Sequence, residues 1–410
     1  MKGPIVVVGA GQAGASFVSR HVTLGGDAPV ILIGEEPYAP YQRPPLSKKF
    51  LTGELERDRL WIRQPDWYGQ NGITTRFGTR IAELAPSQRT VITDSGERIG
   101  YGKLVLCTGS RPRLLPDALG GSLDGVHTLR EIGDADRLAE RLGGSRRLIV
   151  IGGGYIGLEI AASARKLGLE VTVIEMAERI LQRVASEQTS LYFRSLHRDH
   201  GVEILESTRI VRIAGRDGVA RRVELDSGET IDADAVLVGI GALPNVELAE
   251  AAGIECENGI CVDEACRTSD ADIHAAGDCT SFVRNGQRIR LESVQNAADQ
   301  GDLTARVLSG HDDRYASVPW FWSEQYDCML QIAGLSQGFD RAVIRRNSTS
   351  GGQSVWYYTG ERLIAVDAMN DTKSYAFGRR MLEMGMNPRA DQVEDEQTDL
   401  KALLQAGMPK

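Results

Sequence analysis

Short unbroken apolar runs, each ending in a glycine-rich loop, recur along this chain. Ile5 to Val8 leads into Gly9-Ala10-Gly11-Gln12-Ala13-Gly14, and Leu148 to Ile151 leads into Gly152-Gly153-Gly154-Tyr155-Ile156-Gly157. A run of this kind, bounded by turn residues, predicts a strand buried on both faces. The polar and small residues after each loop predict a turn into a helix. Second runs follow, Val30 to Gly34 before Glu35 and Val171 to Ile174 before Glu175. Alternating segments then flank Asp94-Ser95-Gly96-Glu97 in the first half and Asp226-Ser227-Gly228-Glu229 in the second, each predicting a hairpin turn. Last in each half comes an apolar strand running toward glycine, Leu104 to Gly109 and Ala235 to Gly241. The shared order predicts two similar α/β units.

A third pattern begins near Trp320. Gln331 to Leu335, Ala342 to Ile344, Ser354 to Tyr358 and Arg362 to Val366 read as short strands. Lys373 to Met386 has helical spacing, and a further helix is expected over Asp399 to Ala406. Trp320 and Trp322 alternate around Phe321, so as a strand both indoles share a face. The stretch Ile273 to Cys279, with the helical segment from Val294 to Leu308, carries no glycine loop and is expected to complete the first unit. The predicted architecture is α/β: two Rossmann-like nucleotide-binding domains and a small C-terminal α+β domain. The boundaries are 1–110 with 242–319, then 111–241, then 320–410.

Composition narrows the setting. The chain has 410 residues, 42% of them hydrophobic and 25% charged, which is ordinary for a water-soluble globular protein. No apolar run approaches the roughly 18 residues of a membrane span. No basic segment followed by a cleavable apolar stretch opens the chain, so a cytoplasmic location is expected. The net charge of −9 argues against general nucleic-acid binding. Cys256, Cys261 and Cys266 are evenly spaced, but that spacing fits no zinc pattern, so no metal is expected.

The loops carry the first chemistry. In each, the first glycine permits the tight turn, the second lets backbone approach a pyrophosphate, and the third lets helix pack on strand. The pyrophosphate then meets the N–H groups and positive end of the helix. Two such loops imply two dinucleotides, and a hydride passed between them is the usual reason to hold both. Glu35 at the end of the second strand suits the adenosine ribose hydroxyls, with Glu36 as its competitor. Glu175 occupies the same place in the second unit and would repel a 2′-phosphate, favouring NADH over NADPH. Arg179 and Arg183 follow closely and oppose that preference. Pro44-Pro45-Leu46-Ser47 reads as a turn into a helix with Ser47 as a cap.

Taken in order, Arg43-Pro44-Pro45-Leu46-Ser47-Lys48, Ile151 to Glu159, Ala276-Gly277-Asp278-Cys279 and Pro319-Trp320-Phe321-Trp322-Ser323 resemble the FAD-containing, NADH-dependent ferredoxin reductases of bacterial oxygenase systems. These are the putidaredoxin reductase and biphenyl-dioxygenase reductase type, with a glutathione-reductase-like fold. The resemblance spans nearly the whole chain. It implies that FAD is held by Gly9, Gly11, Ala13, Gly14, Glu35, Arg43, Lys48, Ile81, Arg130, Asp278, Val294 and Trp320. Of these, Asp278 takes the ribityl chain, and the helix from Val294 points its N-terminus at the flavin. Arg111 is the rival of Arg130. NAD falls to Gly152, Gly154, Tyr155, Ile156, Gly157, Glu159, Glu175, Arg183 and Gly241.

In this resemblance Lys48 lies beside the flavin N5 region and Glu159 faces it from the NAD side. The two are expected to act as a pair that shapes the nicotinamide pocket, with no proton transferred. The segment Tyr41 to Lys48 holds none of the redox cysteine that disulfide and peroxide reductases of this fold keep there, so electrons must leave the flavin directly. A [2Fe-2S] ferredoxin, feeding a Rieske-type oxygenase or a haem-thiolate monooxygenase, is the implied acceptor. Rubredoxin, quinone or oxygen is the alternative, as is a redox-sensing role like that of apoptosis-inducing-factor relatives. Arg288, Arg290, Arg341, Arg345 and Arg346, with Lys49, are the candidate docking charges. Oligomeric state is left open.

Overall fold

The computed structural model describes residues 3–347 and 351–407. The elements that carry the site are, in chain order, β1 (Ile5–Val8), α1 (Gln12–Thr23), β2 (Arg147–Ile151), α2 (Tyr155–Lys166), α3 (Glu187–Asp199), α4 (Val294–Leu308) and β3 (Trp320–Gln325). The chain divides into two units. One takes the chain up to Gln42, then Arg57–Arg111 and Ala242–Ser317; the other takes Arg43–Glu56, Pro112–Gly241 and the chain from Val318 onward.

The first unit is built on a five-stranded parallel sheet with β1 at its centre. Val30–Gly34 and then Ile73–Phe77 lie to one side, Lys103–Leu106 and then Ile273–Ala275 to the other. The late strand Ile273–Ala275 thus completes the first sheet, as its pattern predicted. All four residues of β1 are buried, which a parallel strand covered on both faces requires. Helices α1 and α4 pack closely: a Cβ added at Gly301 of α4 would come within 2.3 Å of the Ala13 carbonyl oxygen. The expected hairpin belongs to a separate three-stranded antiparallel sheet, Ile81–Ala85, Thr90–Thr93 and Arg98–Gly100.

The second unit repeats this plan. β2 is central, with Glu170–Ile174 and Val202–Leu205 on one side and Ala235–Val238 and Val126–His127 on the other, all parallel. Its antiparallel sheet, Ile210–Arg216, Val219–Leu225 and Thr230–Asp232, turns through Gly228 at φ 86°, as the first turns through Gly96 at φ 85°. The same unit holds a five-stranded antiparallel sheet in the order β3, Cys328–Gly334, Arg362–Met369, Gly352–Thr359, Arg341–Asn347. These strands run longer than their apolar cores suggested, because the ladder continues through polar residues such as Arg345 and Gln353. The two expected C-terminal helices are Thr372–Glu383 and Leu400–Ala406, the second capped by Asp399. Segment 43–56, expected with the first domain, packs in the second unit.

His274 lies in the strand Ile273–Ala275, 3% exposed, with neither ring nitrogen hydrogen-bonded. Burial pushes its pKa down to about 4. The unfolded imidazole binds a proton near 6.5, so stability carried by the neutral ring is full above that pH and falls as pH drops toward 4. By pH 5 the loss is about 2 kcal/mol. His274→Leu should remove much of that acid sensitivity. Denaturant unfolding at pH 7 and pH 5 measures it; an unchanged pH difference in the variant would refute this account.

Candidate functional site

Each glycine loop answers two kinds of constraint. The first glycines sit at positive φ, 116° for Gly9 and 107° for Gly152, and a Cβ there would strike the carbonyl oxygens of Cys107 at 2.0 Å and Gly239 at 2.4 Å. The third glycines, Gly14 and Gly157, would each strike the carbonyl oxygen of the first at 2.2 Å. Those four are demanded by the chain's own packing. Gly11 and Gly154 are different, because among the described residues, their chain neighbours aside, nothing lies within 4 Å of a Cβ added there. Each is the N-cap of its helix, with no side-chain cap and no acidic residue in the first turn. The helices therefore present open N–H groups and a positive dipole end to an approaching anion.

Around the first loop, Ala13 and Gly277 meet closely: a Cβ on Gly277, which has φ 92°, would lie 3.1 Å from that of Ala13. Asp278 follows, half-buried, and accepts from the Ser110 hydroxyl at 3.1 Å. Val294 opens α4, whose cap Ser293 accepts from the Asn296 amide; its first turn holds no acid. Glu35 is 72% exposed and has Arg80 at 3.8 Å, whereas Glu36 accepts from the Tyr41 hydroxyl at 2.6 Å. Of the two, Glu35 has the accessible carboxylate. Ile81 is buried in an apolar core with Leu84 and Val91. Arg111 is tied to Glu247 at 2.6 Å and Asn245 at 2.8 Å.

In the second unit the structure brings Arg43 and Arg130 together, the Arg43 guanidinium donating to the Arg130 carbonyl at 2.6 Å. Glu175 receives the amides of Gly153 and Ala177, both at 2.7 Å, so its carboxylate is anchored to the glycine loop. Arg183 is exposed and lies beside Gly241, whose added Cβ would be 3.5 Å from the guanidinium. Arg179, by contrast, turns inward to the Ser186 carbonyl and the Ser190 hydroxyl. Ile156 is exposed on the first turn of α2. Tyr155 rests its ring on Phe321 at 4.8 Å between centroids. Its hydroxyl is buried with no partner, and burial and the Asp367 charge both push its pKa up. Trp320 and Trp322 share a face of β3, 5.5 Å apart, and the Arg379 guanidinium lies 5.4 Å from the Trp320 ring.

Lys48 and Glu159 form an ion pair at 2.6 Å, their side chains 13% and 3% exposed. The carboxylate is fully engaged. One oxygen accepts from Lys48 and from the Ser47 hydroxyl, each at 2.6 Å, and the other accepts from the Ser323 hydroxyl at 2.6 Å. Ser47 is therefore no helix cap. Pro44–Ser47 is itself a one-turn 3₁₀ helix that ends in turns, and the serine hydroxyl is used across the unit. Ser163, one turn along α2 from Glu159, donates to the Ser47 carbonyl at 2.7 Å and fixes the same segment. Ser323 ends the Pro319 to Ser323 motif, which alone gives the serine no role; the alternation along β3 is the signal that it faces away from the tryptophans.

The thiols offer no redox pair. All six cysteines are free, and five of them, Cys107, Cys256, Cys266, Cys279 and Cys328, have pKa values pushed up chiefly by burial. The docking charges are largely committed inside the chain. Arg288 pairs with Glu257 at 3.1 Å and Arg290 pairs with Glu292. Arg345 binds the carbonyls of Val393, Asp395, Glu396 and Thr398. Lys49, Arg341 and Arg346 are exposed.

Residues 3–301 match the family model for pyridine nucleotide-disulphide oxidoreductases, and residues 320–404 match the reductase C-terminal domain. The chain is 42% identical over 399 residues to rhodocoxin reductase of Rhodococcus erythropolis, covering 97% of this chain and 93% of that one. It is 37% identical over 369 residues to a rubredoxin-NAD(+) reductase of Pseudomonas putida, covering 89% and 95%. The solved covalent complex of putidaredoxin reductase with putidaredoxin contains a chain with TM-score 0.96 and 35% identity, each chain covered completely.

Removing one member of the buried pair should cost more than removing both. Lys48→Met leaves the Glu159 charge uncompensated and should lower stability by about 3 kcal/mol, and adding Glu159→Gln should restore more than half of that. Denaturant unfolding of the three proteins measures this; a Lys48→Met loss below about 1 kcal/mol would show that Ser47 and Ser323 alone hold the carboxylate.

Proposed function

The chain belongs to the pyridine nucleotide-disulphide oxidoreductase family and carries its reductase C-terminal domain, and from this we propose that it is an FAD-dependent NADH:ferredoxin reductase serving an oxygenase system. The observation that carries the reading is the pair of helix N-termini, at Gly11 and Gly154, that the chain leaves open. Both fit a dinucleotide pyrophosphate, and matched sheets hold them. FAD is assigned to the first, with Glu35 on its ribose and Asp278 on its ribityl chain. NADH is assigned to the second, with Glu175, Arg183 and Gly241 about its adenosine end. Bound FAD supplies the chemistry that connects a two-electron hydride donor to one-electron carriers.

The protein's own residues bind and orient. Lys48 and Glu159 shape the nicotinamide side as a paired ammonium and carboxylate, in a site too dry to leave either without a partner. Glu175, anchored by two amides, is held where an NADPH 2′-phosphate would fall. Arg179, turned inward, offers that phosphate little. No raised-pKa thiol can serve as a relay, so electrons pass outward to a carrier protein. A [2Fe-2S] ferredoxin is the proposed carrier. Rubredoxin is the second reading, favoured by the rubredoxin-NAD(+) reductase relative. Among the described residues no helix is long and apolar enough to cross a membrane. A cytoplasmic setting accords with six unpaired cysteines.

The direct test reduces the protein anaerobically with one equivalent of NADH in a stopped-flow instrument and then mixes it with a [2Fe-2S] ferredoxin or a rubredoxin. Flavin bleaching followed by ferredoxin reduction is expected; transfer to rubredoxin alone would replace the acceptor, and transfer to neither would refute the reductase reading. NADH should exceed NADPH in kcat/KM by about tenfold or more, and equal values would remove the role given to Glu175. Gly154→Ala should leave FAD content unchanged while raising the KM for NADH about tenfold, since the added methyl meets nothing but the incoming nucleotide.

A further inference from the structure

Beyond Ser323 the hydrogen bonds continue. The Ser323 oxygen accepts from the Gln325 side-chain amide at 3.1 Å, the Gln325 side-chain oxygen meets His197 Nε2 at 2.8 Å, and His197 Nδ1 meets the Tyr326 hydroxyl at 3.3 Å. Ser323, Gln325 and His197 are completely buried. The period-2 geometry of β3 places Phe321, Ser323 and Gln325 on one face, where they meet Tyr155, Glu159 and His197 in turn. Tyr326 closes the chain of contacts from an unusual backbone. It is the first residue of a two-residue hairpin loop, at φ 57°, where a tyrosine is strained. Its ring stacks on His200 at 3.7 Å.

The direction of this chain follows from its end. A carboxylate only accepts, so Ser323 must donate to Glu159. The serine oxygen then has only lone pairs for Gln325, which must present its amide N–H. The glutamine oxygen therefore faces His197, and Nε2 must carry a hydrogen. Burial pushes the His197 pKa down to about 4, so the ring is neutral at pH 7 and Nδ1 accepts from Tyr326. Every donor points toward Glu159.

We infer that Ser323 and Gln325 are positioning residues for Glu159, forming with His197 a one-way hydrogen-bond chain that sets the orientation in which the carboxylate meets Lys48. The inference rests on the reading that Lys48 and Glu159 line the nicotinamide side. The oxygen of Glu159 that faces Ser323 has no other donor among the described residues, so loss of that hydroxyl frees the carboxylate to turn. Among the described residues Gln325 hydrogen-bonds to Ser323 and His197 and to neither Lys48 nor Glu159, so it acts through the serine.

The test measures flavin reduction by NADH in the holoenzyme, with the limiting rate and the NADH dissociation constant taken from its concentration dependence. Ser323→Ala and Gln325→Met should each lower the limiting rate about tenfold with little change in affinity, and Ser323→Thr, which keeps the hydroxyl, should stay within about twofold of the parent. Both effects should vanish in a Glu159→Gln background, where a packing role would persist. A silent Glu159→Gln would overturn the nicotinamide-side reading and this inference with it. A slow Glu159→Gln with silent Ser323→Ala and Gln325→Met would overturn the inference alone, as would equal losses in both backgrounds. A second readout is ring ¹⁵N NMR of His197 in the resting holoenzyme at pH 7. A neutral Nε2–H tautomer is expected, and an Nδ1–H or doubly protonated ring would overturn the stated direction.

Discussion

Burial of the Glu159 carboxylate is the constraint around which the second unit is arranged. An ion of this size taken out of water costs several kcal/mol unless charge and hydrogen bonds replace what water supplied. The replacement comes from two separate parts of the chain: Ser47 and Lys48 at the end of the 3₁₀ segment, and Ser323 from β3. This explains why residues 43–56 pack with the second unit although the chain around them belongs to the first. Ser163 repeats the attachment one helical turn away, so α2 holds the segment at two points. A single charged residue thereby determines where a loop, a helix and a sheet must meet.

The two sheets solve a different problem by the same means. Their first and third glycines are demanded from within, since a methyl group there would collide with a carbonyl oxygen. Their second glycines are not. A position that tolerates a side chain sterically but presents open helix N–H groups answers to something the chain itself does not contain. That distinction separates glycines required by the fold from glycines the fold leaves free, and it is the basis on which both helix ends are proposed to meet anions.

Legibility in the sequence followed the range of the interactions. The apolar runs, the glycine loops and the Asp-Ser-Gly-Glu turns are local, and each stands where its pattern placed it. The return of Ile273–Ala275 to the first sheet was also legible, because an apolar strand without a loop of its own needs a host. Ser47 was misread because Pro-Pro-Leu-Ser carries the same local signal whether its hydroxyl caps a helix or reaches a carboxylate 112 positions on. Gln325 and His197 gave no signal at all, since their partnership spans 128 positions and neither belongs to a motif. The basic residues were overread for the opposite reason. Charge is visible in sequence but its neutralisation is not, and Arg288, Arg290 and Arg345 are each committed to acids or carbonyls in the fold.

The thiols show how one frame can lose one chemistry and keep another. Disulfide reduction on this scaffold needs a thiolate poised to attack, and thiolates form where positive charge or a helix end lowers the pKa. Here the turn that could carry such a cysteine holds Ser47 and Lys48, and the shifted cysteines are pushed toward the protonated form by burial. The positive charge that could have activated a thiol instead compensates Glu159. With no covalent relay, what the site can do is orient a hydride donor and pass electrons onward. On the proposed reading Glu159 lines a hydride site, which depends on geometry far more than on acid–base chemistry and so gains from a buried, fully bonded carboxylate despite its desolvation cost.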